Sequence, residues 1–296
     1  VARLDLSHFA LGYKDCSPQA TLYTSDHIQK IVPITWETLT TQAPQQFKLP
    51  ALKQTVFSEA QHYLDRSIYH LIAGKRNIAD GYPTWGLVSF YYASFFAAQC
   101  AIRLRGLSFV RIDYRKEIAA PTYRLEVVNL LTDEFCVRKA GGTGEHVRVW
   151  NAFYDLYSGL ANDGRWAEFW PVTEESEPER RLAEMHRRHL VNYVPGFGYV
   201  EAGPIKVATA LIAALSRDVL ANLTESLEEP DQQLEAKAFL RAKLCVRLLL
   251  EIVRRQGAYS RLHETRMTQR RGWLSSLKCP SALSNRLDGV LSLKAS

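Results

Sequence analysis

The chain has 296 residues, 47% of them apolar and 23% charged, which is the balance of a folded globular protein and excludes wholesale disorder. Its net charge of +6 is uneven. Residues 237–296 hold 13 Lys and Arg against 3 acidic side chains, a net +10, which leaves −4 for everything before them. Five dispersed cysteines, Cys16, Cys100, Cys136, Cys245 and Cys279, form no C-x-x-C pair and no Cys/His cluster. That usage argues against a zinc site or a disulfide framework and suits a reducing cytosol, so a cytoplasmic protein without a metal or other cofactor is expected.

The opening run VARLDLSHFALGYKD carries charges and no long apolar core, so no secretory signal is expected. Residues 1–50 mix Ser, Thr, Pro and Gln with short apolar runs and show no sustained period. They read as loops and short elements packed on a larger body. From Leu52 the pattern changes: Leu52, Val56, Ala60, Tyr63, Leu64, Ser67, Ile68, Leu71 and Ile72 recur at three and four. This predicts an amphipathic helix ending near Gly74, with GKRNIADGYP as the following loop. Thr84 is a candidate N-cap for a second helix reaching about Arg105, where Gly106 suits the stop.

That second helix contains SFYYASFFAAQCAIRLRG, a mixture of rings and small side chains. Phe90, Phe95 and Phe96 supply large buried areas, while Ala93, Ala97 and Ala98 let neighbouring helices approach closely. Residues 85–102 carry no charge, which is long enough for a membrane span. Ser89, Ser94, Gln99 and the Tyr and Trp residues want hydrogen bonds, so the central helix of a bundle is the favoured reading and no membrane is expected.

Between 107 and 145 the period shifts to two. FVRIDY sets Val110, Ile112 and Tyr114 against Arg111 and Asp113, and YRLEVV alternates Tyr123, Leu125 and Val127. Two or three short strands or extended arms are expected there. GGTG at 141–144 is a turn and lacks the Lys-Ser/Thr that completes a phosphate loop. Val147 to Leu160 returns to helical spacing. The acidic run TEESEPER then opens a helix through RRLAEMHRRHLVNY to about Tyr193, carboxylates being favoured at a helix N-terminus. Pro204 opens another helix, Ile205 to about Leu223. EEPDQQ separates it from a long helix, Leu234 to about Arg255, with a polar stripe of Lys237, Arg241, Arg247 and Arg254. The expected fold is mainly α: a helical bundle with a small extended or β insert at about 107–145 and a basic C-terminal helical tail. The expected organisation is a packing segment (1–50), a helical core (51–230) and a basic helix with its tail (231–296).

Two features resemble the HEPN superfamily, helical-bundle proteins of prokaryotic toxin, antiviral defence and RNA-processing systems. VSFYYASFFAAQCAIRLRG is similar to that family's ring-and-alanine helix, and it follows an amphipathic helix as it does there. MHRRHLVNY is similar to the downstream helix on which active members carry an Arg, often a polar residue after it, and a His four to six residues on. The resemblance spans roughly residues 52 to 225. It places the family's Arg on Arg188, its polar neighbour on His189 and its distal His on Tyr193, a departure because Tyr does not carry protons near neutral pH. A second register uses Arg181 and His186, with Leu182 where a polar residue is usual. A pair five residues apart does not share one helix face, and family members answer this by dimerising.

The resemblance implies metal-independent endoribonuclease activity, in which Arg neutralises a phosphate and His moves protons. Beside it stands a plainer reading of Arg188, His189, Asn192 and Tyr193 as a solvated face with Asn192 and Tyr193 anchoring the helix end. His146, beside Arg148 and Trp150, is a candidate phosphate contact or a helix-start residue. His62 and His70, eight apart, are too widely spaced for one metal. In the C-terminal fifth, Arg254, Arg255, Arg261, Arg266, Arg270 and Arg271 interleave with Tyr259, His263 and Trp273. Arginines for phosphates and rings for unpaired bases suit RNA or another polyanion. The alternative to an RNA-cleaving protein is a catalytically silent helical module that docks a protein or nucleic-acid partner through this tail. The resemblance implies a homodimer or a protein partner of the same system.

Overall fold

The computed structural model describes residues 7–16, 24, 28, 44–49, 51–111, 122–141, 143–175, 177–186, 188, 230–254 and 260–293. Two long helices form its centre, α2 (Leu52–Ala79) and α3 (Pro83–Leu104), preceded by α1 (Ser7–Gly12) and strand β1 (Gln45–Lys48). α2 and α3 run antiparallel. Ser67 Oγ donates to the Ala93 carbonyl at 2.8 Å, and near the open end Arg103 Nε donates to Glu59 Oε2 at 3.0 Å. At the closed end Gly74 meets Gly86. A Cβ on Gly74 would lie 2.7 Å from the Phe90 ring and 3.0 Å from the Gly86 carbonyl, so a side chain there would force the helices apart.

Gly74 is therefore a crossing point rather than a helix end, and α2 continues through most of the segment expected to be a loop. The turn is only residues 80–82. Pro83, not Thr84, marks the start of α3, because its fixed φ and absent N–H fit the first helical position. Gly106 stops α3 as expected, at φ +72°, where a Cβ would collide with Val127.

The insert is a four-stranded antiparallel sheet in the order β1-β4-β3-β2, with β2 (Leu107–Arg111), β3 (Thr122–Asn129) and β4 (Glu134–Lys139). Leu125 faces Val137, and Val110 faces Tyr123, so one face of the sheet is apolar and packs into the core. β1 was not anticipated. QQFK is four residues with little alternation, and it becomes a strand by pairing with β4 from a distant part of the chain. Ile112 and Tyr114 lie outside the described residues.

α4 (Glu145–Tyr157) follows the GGTG turn and packs on α3. Two 3-10 turns (Leu160–Asn162 and Gly164–Phe169) and the short α5 (Trp170–Thr173) and α6 (Pro178–Arg181) come next. Residues 183–186 and 188 are also helical. The expected continuation to Tyr193 and the helix from Ile205 to Leu223 lie outside the described residues. α7 (Pro230–Val253) covers the other side of α3: Ala97, Ala98, Cys245 and Leu249 are fully buried, and Cys245 Sγ lies 3.1 Å from the Ala97 carbonyl.

α3 is thus enclosed by α2, α4 and α7, which explains its rings and alanines. Among the described residues, Thr84–Leu104 is the one helix long and apolar enough to cross a membrane, and 78% of that stretch is buried within the fold. The protein is mainly α with a small β insert. Its basic C-terminal tail is a helical hairpin, α8 (Ser260–Ser276) and α9 (Ser281–Leu291), folded against the body. Lys75 of α2 and Arg286 of α9 both reach Glu235 of α7, at 2.7 and 3.7 Å.

Candidate functional site

Helical spacing on α3 turns Tyr91 and Phe95 toward α4, with Tyr92 and Phe96 one residue round the helix. His146 stands in the first turn of α4, the Gly144 cap bringing it over these rings. Its imidazole stacks on Phe95 with centroids 4.2 Å apart and planes at 28°. Its Nδ1 lies 2.6 Å from the Tyr91 hydroxyl, which also accepts a 3.5 Å contact from Trp150 Nε1. Burial pushes the Tyr91 hydroxyl well above its ordinary range, although Trp150 and Arg188 oppose it, so it stays protonated. Burial, with help from the Arg188 charge, moves His146 below its ordinary 6.5 despite the opposing Glu145. The ring is therefore neutral at neutral pH. Tyr91 holds Nδ1, which leaves Nε2 as the nitrogen for a substrate.

Arg188 comes from the helical segment after α6. Its Nη1 donates to the Tyr92 hydroxyl at 3.0 Å, and its guanidinium lies 5.5 and 5.9 Å from the Tyr91 and Tyr92 ring centroids. One turn before it, Glu184 is anchored in the core. Arg241 of α7 donates from Nη1 to both Glu184 carboxylate oxygens at 2.8 and 2.9 Å. It also reaches the Tyr154 hydroxyl at 2.9 Å and the Ser94 hydroxyl, and lies 4.6 Å over the Trp150 ring.

Burial alone would raise the Glu184 carboxyl, but Arg241 and Lys237 outweigh it and hold the group below its ordinary value. This ionised pair pins the segment that carries Arg188. Arg241 was expected in the polar stripe of α7. It is 0% exposed instead, because Glu184, Tyr154 and Ser94 supply the partners that water would otherwise provide.

Of the two expected registers, the first keeps Arg188, while His189, Asn192 and Tyr193 lie outside the described residues. The second is not brought together. Arg181 Nη1 pairs with Asp155 Oδ1 at 2.6 Å and its Nε donates to the Glu175 carbonyl, whereas His186 is exposed. Among the described residues it is His146, remote in sequence, that joins Arg188. The available signal was the Tyr-Tyr pair in an otherwise apolar helix, two hydroxyls that need partners when half-buried.

The C-terminal candidates divide sharply. Arg270 is 0% exposed: its Nε reaches Asp65 Oδ1 at 2.7 Å and its Nη2 reaches Gln61 Oε1 at 2.8 Å. Arg266 pairs with the same Asp65 and lies 3.3 Å from His62 Nδ1. His263 is buried on the same face, and burial with the charges of Arg270 and Arg266 pushes its pKa down to about 3. Arg270 and His263, expected on a nucleic-acid surface, are thus internal: they occupy the inward face of α8 with Met267 and Leu274. Arg254 and Arg271 stay exposed, paired with Glu251 at 2.9 Å and Asp288 at 2.7 Å. Trp273 is half-buried. Arg255, Tyr259 and the Arg261 side chain lie outside the described residues.

His70 packs its ring among Tyr69, Tyr92 and Phe96. Among the described residues no group of three His, Cys, Asp or Glu side chains gathers to hold a metal ion. Comparison of the chain with protein-family models, curated proteins and solved structures gives no match.

Proposed function

We propose that this chain is a HEPN-like protein of a prokaryotic defence or toxin system that binds single-stranded RNA and cleaves it without a metal ion, at a centre formed by Arg188 and His146. The observation that carries the reading is their convergence on Tyr91 and Tyr92. It gives a neutral imidazole and a fixed cation on one ring-lined face, from segments far apart in sequence. In the reaction, His146 carries its ring proton on Nδ1, donated to the Tyr91 oxygen, and Nε2 takes the proton of a ribose 2′-hydroxyl while that hydroxyl's oxygen attacks the adjacent phosphorus. The bond to the 5′-oxygen breaks, that oxygen takes a proton from the imidazolium or water, and a 2′,3′-cyclic phosphate remains. Arg188 binds the non-bridging phosphate oxygens as charge builds on them. Tyr91 orients the imidazole, and the Glu184–Arg241 pair holds the Arg188 segment in place. Both groups belong to one chain, so the homodimer that the resemblance implies doubles this centre rather than completing it.

The test is incubation of labelled single-stranded RNA with the protein in the presence of a chelator, beside Arg188→Ala and His146→Ala. The expected outcome is cleavage to cyclic-phosphate ends, reduced ~10²–10⁴-fold in either variant. Cleavage unchanged in both variants would sink the assignment. A catalytically silent RNA-binding module is the second reading, favoured by the packing of His146 and Arg188 among rings, a lining that suits binding alone. Salt-sensitive binding without cleavage, lost in Arg188→Ala, would select it.

A further inference from the structure

A cavity of about 300 Å³ opens between α2 and α8, walled by Tyr69, Trp273, Leu277, Arg66 and Asp65. Tyr69 is 52% exposed, and Trp273, also lining the cavity, is half-buried. Asp65 contributes no free negative charge, because Arg266 and Arg270 both pair with it. Arg66 is exposed. Its guanidinium lies 5.7 Å from the Tyr63 and Phe96 centroids, and among the described residues it forms no ion pair. The cavity therefore combines two large rings with a positive rim.

It is also joined to the Arg188 site by contiguous rings. Tyr69 meets His70 at 5.6 Å, His70 meets Tyr92 at 5.8 Å, and Tyr92 holds Arg188. Rings in series beside arginines form a stacking platform along which a single strand can lie.

We propose that this cavity takes an unpaired nucleobase of single-stranded RNA, stacked against Tyr69 and Trp273 with its phosphate on Arg66, and that the strand continues over His70 and Tyr92 to Arg188. The inference rests on the RNA reading above and specifies its substrate: a flexible single strand engaged on one side of the scissile bond. A duplex is excluded from this mode, since its bases are already stacked and paired.

The experiment compares wild type, Tyr69→Ala, Tyr69→Trp, Arg66→Glu and Arg188→Ala for binding of a labelled single-stranded oligoribonucleotide and of an abasic oligomer of equal charge. Tyr69→Ala is expected to weaken oligoribonucleotide binding about tenfold and to raise KM for its cleavage, with Tyr69→Trp restoring both. Tyr69→Ala binds the abasic oligomer as wild type does, whereas Arg66→Glu weakens binding to both oligomers. Equal binding of the RNA by Tyr69→Ala and wild type, with cleavage still lost in Arg188→Ala, overturns the cavity's role and leaves the RNA reading standing. A wild-type protein that binds no single-stranded RNA overturns both.

Discussion

The two regions richest in arginine and rings use them in opposite ways. On α8 Arg266 and Arg270 turn toward α2, where Asp65 and Gln61 take up their hydrogen bonds, and His263, Met267 and Leu274 complete the buried face. At the Tyr91–Tyr92 pair of α3, Arg188 lies on the two rings that His146 also meets, and its supporting ion pair, Glu184 with Arg241, is the part that is buried. The lesson is that a count of positive residues does not locate a positive surface. A buried carboxylate one helix away decides which cations are internal, and the net +10 of residues 237–296 is partly absorbed in holding the C-terminal hairpin to the body.

The sharpest way to break this contrast is to remove one buried cation. Arg270→Ala leaves Asp65 with Arg266 alone, takes the partner from Gln61 Oε1 and opens a cavity in the α2–α8 interface, and a loss of ~2–5 kcal/mol is expected in chemical denaturation. Acid should act on the same region through His263. The unfolded imidazole binds a proton near the ordinary 6.5 while the folded one does so only at about 3, so unfolding takes up a proton between those values. Stability is full above about 6.5 and falls as pH drops through that window, by at most roughly 5 kcal/mol. His263→Gln should flatten the dependence of the unfolding midpoint on pH.

The Arg188 site should respond differently. Arg188→Ala is expected to lower stability by no more than about 1 kcal/mol, because the side chain is partly exposed, while abolishing cleavage. Because His146 is held below its ordinary 6.5, the acidic limb of the pH–rate profile should fall below that value; a limb above it would remove His146 as the base. The smallest effect belongs to Arg271→Ala, whose pair with Asp288 is nearly half exposed on both sides. A change within about 0.5 kcal/mol in thermal melting is expected.

Much of the architecture was legible because it rests on local periodicity. The apolar spacing from Leu52, the ring-and-alanine run, the alternation in YRLEVV and the glycine after Arg105 correspond to α2, α3, β3 and the stop at Gly106. The errors share one cause. Gly74 resembles a terminator in isolation and is a crossing point only because Gly86 lies across from it. QQFK carries no strand signal of its own and pairs because β4 is beside it. Of the candidate site, Arg188 was singled out and His146 was noted, but not their meeting: residues 91, 146 and 188 converge only when α3, α4 and the segment after α6 pack together.

By itself, then, the sequence determined where α2, α3 and β3 lie and that positive charge gathers near the C-terminus, since these depend on spacing and composition along the chain. The tertiary structure alone decided which arginines are internal and which histidine joins Arg188. A buried charge is tolerated only where a partner from another segment meets it, and that meeting is a property of packing.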